Sequence, residues 1–191
     1  MIGQLNGKLI EKAPTEVIID CGGVGYEVKI SLNTFSQIGE VTTTKLYTKL
    51  IVREDAHLLY GFYTKDEREM FNHLISVSGI GPNTAMIMLS SLTPVEVAHA
   101  INTEDVRVIQ SVKGIGAKTA QRVILDLKGK VLKFSESVEN VSFGNNTNRF
   151  DALTALVSLG FDKKSAEKVL EKIDSGSDSV EQLIKGALKL L

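Results

Sequence analysis

The sequence predicts an α+β chain of several domains: a small β-barrel over residues 1–63, an all-α domain over 64–132, a flexible linker over 133–148 and a bundle of three short helices over 149–191. Three observations lead there. Five β-rich runs separated by turn residues fill the first third of the chain. A Gly-x-Gly loop flanked by helical apolar stripes is then written twice, 35 residues apart. Finally, a polar stretch poor in large apolar side chains parts this repeat from three further amphipathic patterns.

The β-rich runs are Met1–Lys12, Glu16–Cys21, Val24–Ser31, Thr43–Arg53 and Ala56–Tyr63, parted by turn signals such as Gly22-Gly23 and Glu54-Asp55. Tyr26, Val28 and Ile30, and again Leu58, Tyr60 and Phe62, alternate at the period of two that gives a strand one buried face. Five short strands in so few residues fit an OB-like β-barrel, which closes its edges and often meets nucleic acids or partners.

In the repeat, Ser78-Gly79-Ile80-Gly81-Pro82-Asn83-Thr84-Ala85 returns as Lys113-Gly114-Ile115-Gly116-Ala117-Lys118-Thr119-Ala120. Before the loops, Phe71, Leu74 and Val77 answer to Val106, Ile109 and Val112. After them, Ala85, Met88, Leu89 and Leu92 answer to Ala120, Val123, Ile124 and Leu127, each set spaced i, i+3, i+4, i+7 as one helix stripe. Each unit therefore reads helix, tight turn, helix. Between them, Thr93-Pro94-Val95-Glu96 carries the capping Thr, the Pro at the first helical position and the Glu three residues on that open a connecting helix.

Glycines permit backbone conformations closed to other residues and let another backbone come close. The first amides of the following helix have no partner within it, so several N–H groups and a positive dipole end converge on one point, a place for a phosphate. The plain alternative is a compact corner between packed helices. Two copies in one register favour a ligand that itself repeats phosphates, a nucleic-acid backbone. The candidate phosphate-binding residues are Gly79, Ile80, Gly81, Asn83 and Thr84 in the first unit, and Gly114, Ile115, Gly116, Lys118, Thr119 and Arg122 in the second.

Charge favours the second unit. Residues 107–132 hold six basic side chains against Asp126, a net +5, whereas residues 64–106 come to −4. Lys118 and Arg122 lie opposite the apolar stripe of their helix, where charged residues are most often just a solvated face. The whole chain carries −1, so any contact with nucleic acid must come from a local patch. One cysteine, Cys21, permits no internal disulfide, and no apolar run reaches the length of a membrane span. These point to a soluble, cytoplasmic protein with no membrane contact. His57, His73 and His99 are scattered, and no paired-carboxylate or metal-ligand spacing appears, so no catalytic residue, cofactor or metal site is expected.

In the tail, Leu153, Leu156 and Val157 run to a stop at Gly160, Asp162 can cap a helix carrying Ala166, Val169, Leu170 and Ile173, and Asp178 and Glu181 open a last one with Leu183, Ile184, Ala187 and Leu188. So small a bundle with apolar surface to spare suits docking a partner.

Taken together, the opening Met1-Ile2-Gly3, Gly22-Gly23-Val24-Gly25-Tyr26-Glu27-Val28, Val52-Arg53-Glu54-Asp55-Ala56 running into Leu58-Leu59-Tyr60-Gly61-Phe62, both loops and Ala155-Leu156-Val157-Ser158-Leu159-Gly160-Phe161 resemble the RuvA family, the Holliday-junction-binding subunit of a bacterial branch-migration machine. The resemblance implies tandem helix-hairpin-helix motifs gripping the arms of a four-way DNA junction, and an OB-like domain assembling as a four-fold homotetramer or, in a larger assembly, an octamer. It implies a tethered, UBA-like third domain at residues 149–191 that contacts the RuvB motor, a RuvC resolvase partner, and Glu54 and Asp55 as an acidic pin at the tetramer centre. On the residues alone, Glu54 and Asp55 read first as turn formers, and the pin comes from the resemblance. The chain departs from the family pattern at Asn83 and Ala117, where many relatives place Lys. Fewer cations then meet phosphate, and amides must carry more of the binding.

Different functions also fit parts of the pattern. Gly116-Ala117-Lys118-Thr119 resembles the end of a P-loop, but Ala117 parts Gly from Lys and a helix rather than a strand is expected before it. Helix-hairpin-helix units also suit a DNA repair enzyme, or a duplex-binding scaffold without junction preference.

Overall fold

The computed structural model describes residues 1–132, 134, 149, 152–153, 155–157, 160–173, 178–188 and 190. They fall in two compact units, Met1–Val138 and Glu139–Leu191. Apart from Phe134, the expected linker at 133–148 lies outside the described residues.

The first unit opens with a closed barrel of β1 (Gln4–Lys12), β2 (Glu16–Asp20), β3 (Gly25–Ile30), β4 (Thr43–Val52) and β5 (His57–Phe62) in the order β1-β2-β3-β5-β4. Each expected run carries one of these strands. All pairs are antiparallel except β3 with β5. Inward positions such as Leu5, Val17, Ile19, Val28, Ile30 and Leu46 fill the barrel.

A seven-residue helix, α1 (Leu32–Ile38), lies between β3 and β4, where the sequence pattern predicts none. After the barrel come α2 (Lys65–Ile75), α3 (Pro82–Ser91), α4 (Pro94–Asn102), α5 (Val106–Gln110) and α6 (Ala117–Leu127). The α4 capping box forms as the sequence predicts, Thr93 and Glu96 each satisfying the other's backbone amide. The stripes of both repeats meet in one core of Phe71, Leu74, Leu89, Ile109, Val123 and Leu127, among others. Tyr60 and Phe62 of β5 belong to it too, their rings 5.1 and 4.9 Å from that of Phe71. Barrel and helices thus share a hydrophobic seam. Phe134 is buried in the same core, edge-on to His73 at 6.2 Å.

Helix α1 tightens that seam. Its Leu32 N–H donates to Ser90 Oγ at 3.1 Å, and Asn33 Nδ2 donates to the carbonyls of Leu89 and Leu92 at 2.5 and 3.1 Å. Beneath it lies Glu67 of α2, 1% exposed. Its carboxylate accepts from the hydroxyls of Ser31 and Thr34, the latter at 2.6 Å, while Thr34 Oγ1 accepts the Tyr63 N–H at 3.0 Å.

Burial pushes the Glu67 carboxyl above its ordinary range, and the Ser31, Thr34 and Tyr63 hydrogen bonds only partly offset this. The folded state therefore holds this proton more tightly than the unfolded chain does. The group's contribution to stability falls as pH rises from the ordinary carboxylate value through the raised one, and recovers on acidification. Glu67→Gln, neutral throughout, should flatten that part of the stability–pH profile in denaturant melts. Glu67→Ala strands two buried hydroxyls over a cavity and should cost about 2–4 kcal/mol.

In the second unit, residues 152–153 and 155–157 are helical and precede α7 (Lys163–Ile173) and α8 (Val180–Ala187). Leu156, Leu170 and Leu183 pack with Ala152, Ala166 and Ala187. Gly160, at φ 97°, ends the first helical stretch where the sequence places a stop, and Asp162 accepts the Ser165 N–H at 3.0 Å to cap α7. The last helix differs in detail: its cap is Ser179, in a reciprocal box with Gln182, and not Asp178. Val157 and Leu188, expected on the buried stripes, are 42% and 46% exposed. Among the described residues no single helix is long and apolar enough to cross a membrane.

Candidate nucleic-acid interface

The two loops repeat in backbone geometry as they do in sequence. Gly79 and Gly114 sit at φ 95° and 91°, the left-handed region in which a Cβ is strained. Gly81 (φ −86°, ψ 169°) and Gly116 (φ −82°, ψ 166°) are the N-caps of α3 and α6. The internal hydrogen bonds recur as well. Ile80 and Ile115 N–H donate to the carbonyls of Val77 and Val112 at 3.0 and 3.1 Å, and Ala85 and Ala120 N–H to those of Gly81 and Gly116 at 3.0 and 2.9 Å.

Ile80 and Ile115, both expected at the phosphate site, are 5% exposed, and their amides are engaged by those bonds. Each isoleucine anchors its loop in the core. The amides without a partner inside their helices are those of Asn83 and Thr84 in the first unit and of Ala117, Lys118 and Thr119 in the second.

Six of the helices named above have a side chain bonded to their first turn: Ser31 on α1, Thr64 on α2, Thr93 on α4, Asp105 on α5, Asp162 on α7 and Ser179 on α8. Among these eight helices of the described residues, α3 and α6 begin on glycine with no side-chain cap. Neither Gly81 nor Gly116 needs to be glycine for its own φ, and a Cβ built on either meets nothing within 4 Å. No packing inside the protein explains them. Absent side chains at two uncapped helix starts leave room for an external group to reach the amides.

Arg122 joins the loops. Its Nη1 donates to the Ser78 carbonyl at 3.3 Å, so the cation expected to point outward from the second unit reaches across to the first. Lys118 and Lys113 are exposed beside their loop, as is Asn83 beside the other. Lys128, counted in the basic cluster, pairs instead with Glu104, whose carboxyl it holds below the ordinary range by hydrogen bond and charge. Helix α5 precedes the second loop, so the strand a P-loop requires is replaced by a helix.

Glu54 and Asp55 stand apart from the loops, at the exposed tip of the β4–β5 turn closed by Arg53 N–H donating to the Ala56 carbonyl at 2.8 Å. Neither has a positive φ, so the turn places no conformational demand that these side chains alone would meet.

Family models match along the chain in the order of the fold: the RuvA N-terminal domain at residues 1–61, the SAM-like helix-hairpin-helix tandem at 71–129 and the RuvA C-terminal domain at 147–191. Proteins named Holliday junction branch migration complex subunit RuvA are similar over their full lengths and the full length of this chain. Those of Christiangramia forsetii, Flavobacterium psychrophilum and Cytophaga hutchinsonii are 56%, 55% and 52% identical. With similarity unbroken from barrel to tail and both hairpins inside the matched tandem, the chain belongs to the RuvA family.

Proposed function

We propose that this protein binds four-way DNA junctions as the non-catalytic subunit of a branch-migration complex. The two uncapped, glycine-started helices hold the phosphates of the arms, and residues 149–191 recruit the RuvB motor. The observation that carries the reading is the pair of congruent loops, each offering free amides at a helix N-terminus with open space before it. Contacts of that kind meet phosphates and not base edges, so binding is sequence-tolerant and falls steeply with salt. Lys118 and Lys113 add charge on the second loop, Asn83 and Thr84 polar groups on the first, and Arg122 holds the loops together.

Selectivity for a junction falls to Glu54 and Asp55. Four copies about one axis would gather eight such carboxylates. A phosphate passing within about 10 Å, the screening length near 0.1 M salt, is repelled. Continuous duplex crossing that centre meets the repulsion, whereas a junction leads its strands outward.

The test is competition between a four-way junction and its arms as linear duplex, in wild type and in the Glu54→Gln/Asp55→Asn variant. The wild type should prefer the junction. The variant, uncharged but similar in size, should bind duplex about three- to tenfold more tightly and lose a matching part of the preference. A wild type indifferent to the junction makes the protein a duplex-binding scaffold. A variant that behaves like wild type makes the two carboxylates turn residues only.

A further inference from the structure

Outside the hairpins, one patch of the first unit combines charge and aromatic surface. Three cations gather about the Tyr47 ring on the outer side of β4: Lys45 Nζ at 5.0 Å from its centroid, Arg68 Cζ at 5.5 Å and Lys65 Nζ at 5.7 Å. Arg68 uses one donor on the Gly3 carbonyl at 2.9 Å. Among the described residues no carboxylate lies within ion-pair distance of Lys45 or Lys65. Lys12 shows the contrast. It also sits over a ring, that of Phe35 at 4.5 Å, but Glu40 pairs with it at 3.1 Å and the Gly39 carbonyl accepts from it at 2.6 Å.

The patch opens on a groove of about 320 Å³ lined by Val41, Thr43, Lys45, Tyr47 and Tyr63, among others. That volume is at the small end of ligand clefts, enough for one nucleotide. Tyr63 is 42% exposed and, among the described residues, has no cation over its ring, so its aromatic surface is available to the groove. Three like charges around one ring, none in an ion pair among the described residues, repel one another and favour an anion. Aromatic surface beside them favours a flat π-system, and the two together describe a nucleotide within a strand. In a duplex the base faces are already stacked on their neighbours, so only an unpaired base can lie on Tyr63.

We propose that this groove is a binding site for unpaired DNA, with one base stacked on Tyr63 and the flanking phosphates against Lys45, Lys65 and Arg68, which Tyr47 gathers. The site goes beyond the junction reading and stands without it, because none of its residues lies in a hairpin loop or the β4–β5 turn.

The test uses the full chain and a fluorescent oligothymidylate of about 15 nucleotides, long enough to cover a site of this kind. Tyr63→Ala should weaken single-strand binding about tenfold, and a fully paired junction should bind as it does to wild type. Lys45→Ala/Lys65→Ala should weaken the single strand too and flatten its salt dependence. Oligothymidylate carrying iododeoxyuridine should photocrosslink to Tyr63. Unchanged single-strand binding by Tyr63→Ala, or crosslinks confined to the hairpin loops, overturns the proposal. Equal losses for single strand and duplex also overturn it, leaving a basic patch without base recognition. So does a change in oligomeric state with single-strand binding intact, which makes the patch a subunit contact.

Discussion

Gly81→Asp and Gly116→Asp, made together, should lower junction affinity on the order of a hundredfold while leaving thermal stability unchanged or slightly raised. Both glycines already hold the extended φ and ψ of an N-cap, and a Cβ there meets nothing, so the fold accepts a side chain. The new carboxylate can accept the amides of Asn83 and Thr84, or of Lys118 and Thr119, as the caps of the other helices do. As a cap, Asp gains only a few tenths of a kcal/mol over Gly. For the ligand the same carboxylate occupies the donors and sets a like charge against phosphate. Losing one charge-assisted hydrogen bond per loop costs about 1.5–3 kcal/mol, tenfold or more each. Calorimetric melting and junction titration should therefore move apart. A compact corner with no ligand predicts that neither moves by more than a few tenths of a kcal/mol. Gly79→Ala is the control: at φ 95° a Cβ costs about 1–2 kcal/mol, and stability itself should fall.

That separation also marks what the sequence could and could not reveal. Strands, hairpins and the α4 cap were legible because each has a local cause: alternation, a glycine pair at fixed offset, a Thr three residues before a Glu. Helix α1 was not, because seven residues between Ser31 and Gly39 are too few to display a helical period, although Ser31 caps it by accepting the Thr34 N–H at 3.0 Å. Its function in the fold depends on Glu67, Leu89 and Leu92, residues far away in the chain. In the loops, repetition identified the glycines but could not say that the Ile80 and Ile115 amides are turned inward, since either direction suits a Gly-x-Gly turn. Arg122 likewise follows from periodicity as an outward cation, and only the folded chain shows Ser78 as its acceptor. The Tyr47 patch assembles residues from β4, α2 and the end of β5, a convergence no linear spacing announces.

Removing residues 149–191 should abolish stimulation of the RuvB motor and leave junction affinity within about twofold of wild type, as expected for sites that share no contacts. The basis is a division of labour visible in the cores. The second unit packs Leu156, Leu170 and Leu183 against three alanines of its own, while the hairpins draw their core from Tyr60 and Phe62 of the barrel and from each other's stripes. The hydrogen bonds that shape the two loops all run between residues of the first unit. Outside its small core the second unit exposes Val157, Leu188 and Leu190 at 42%, 46% and 62%, apolar surface available to a partner. A point variant separates docking from mere tethering: Leu188→Glu, at an exposed position just beyond α8, should lose motor stimulation and keep both its fold and its junction binding. ATPase rates of the motor with junction DNA read the first effect, and gel shifts read the second. If the truncated chain loses the junction as well, the tail supports the DNA site; if Leu188→Glu stimulates normally, the motor docks elsewhere on the protein.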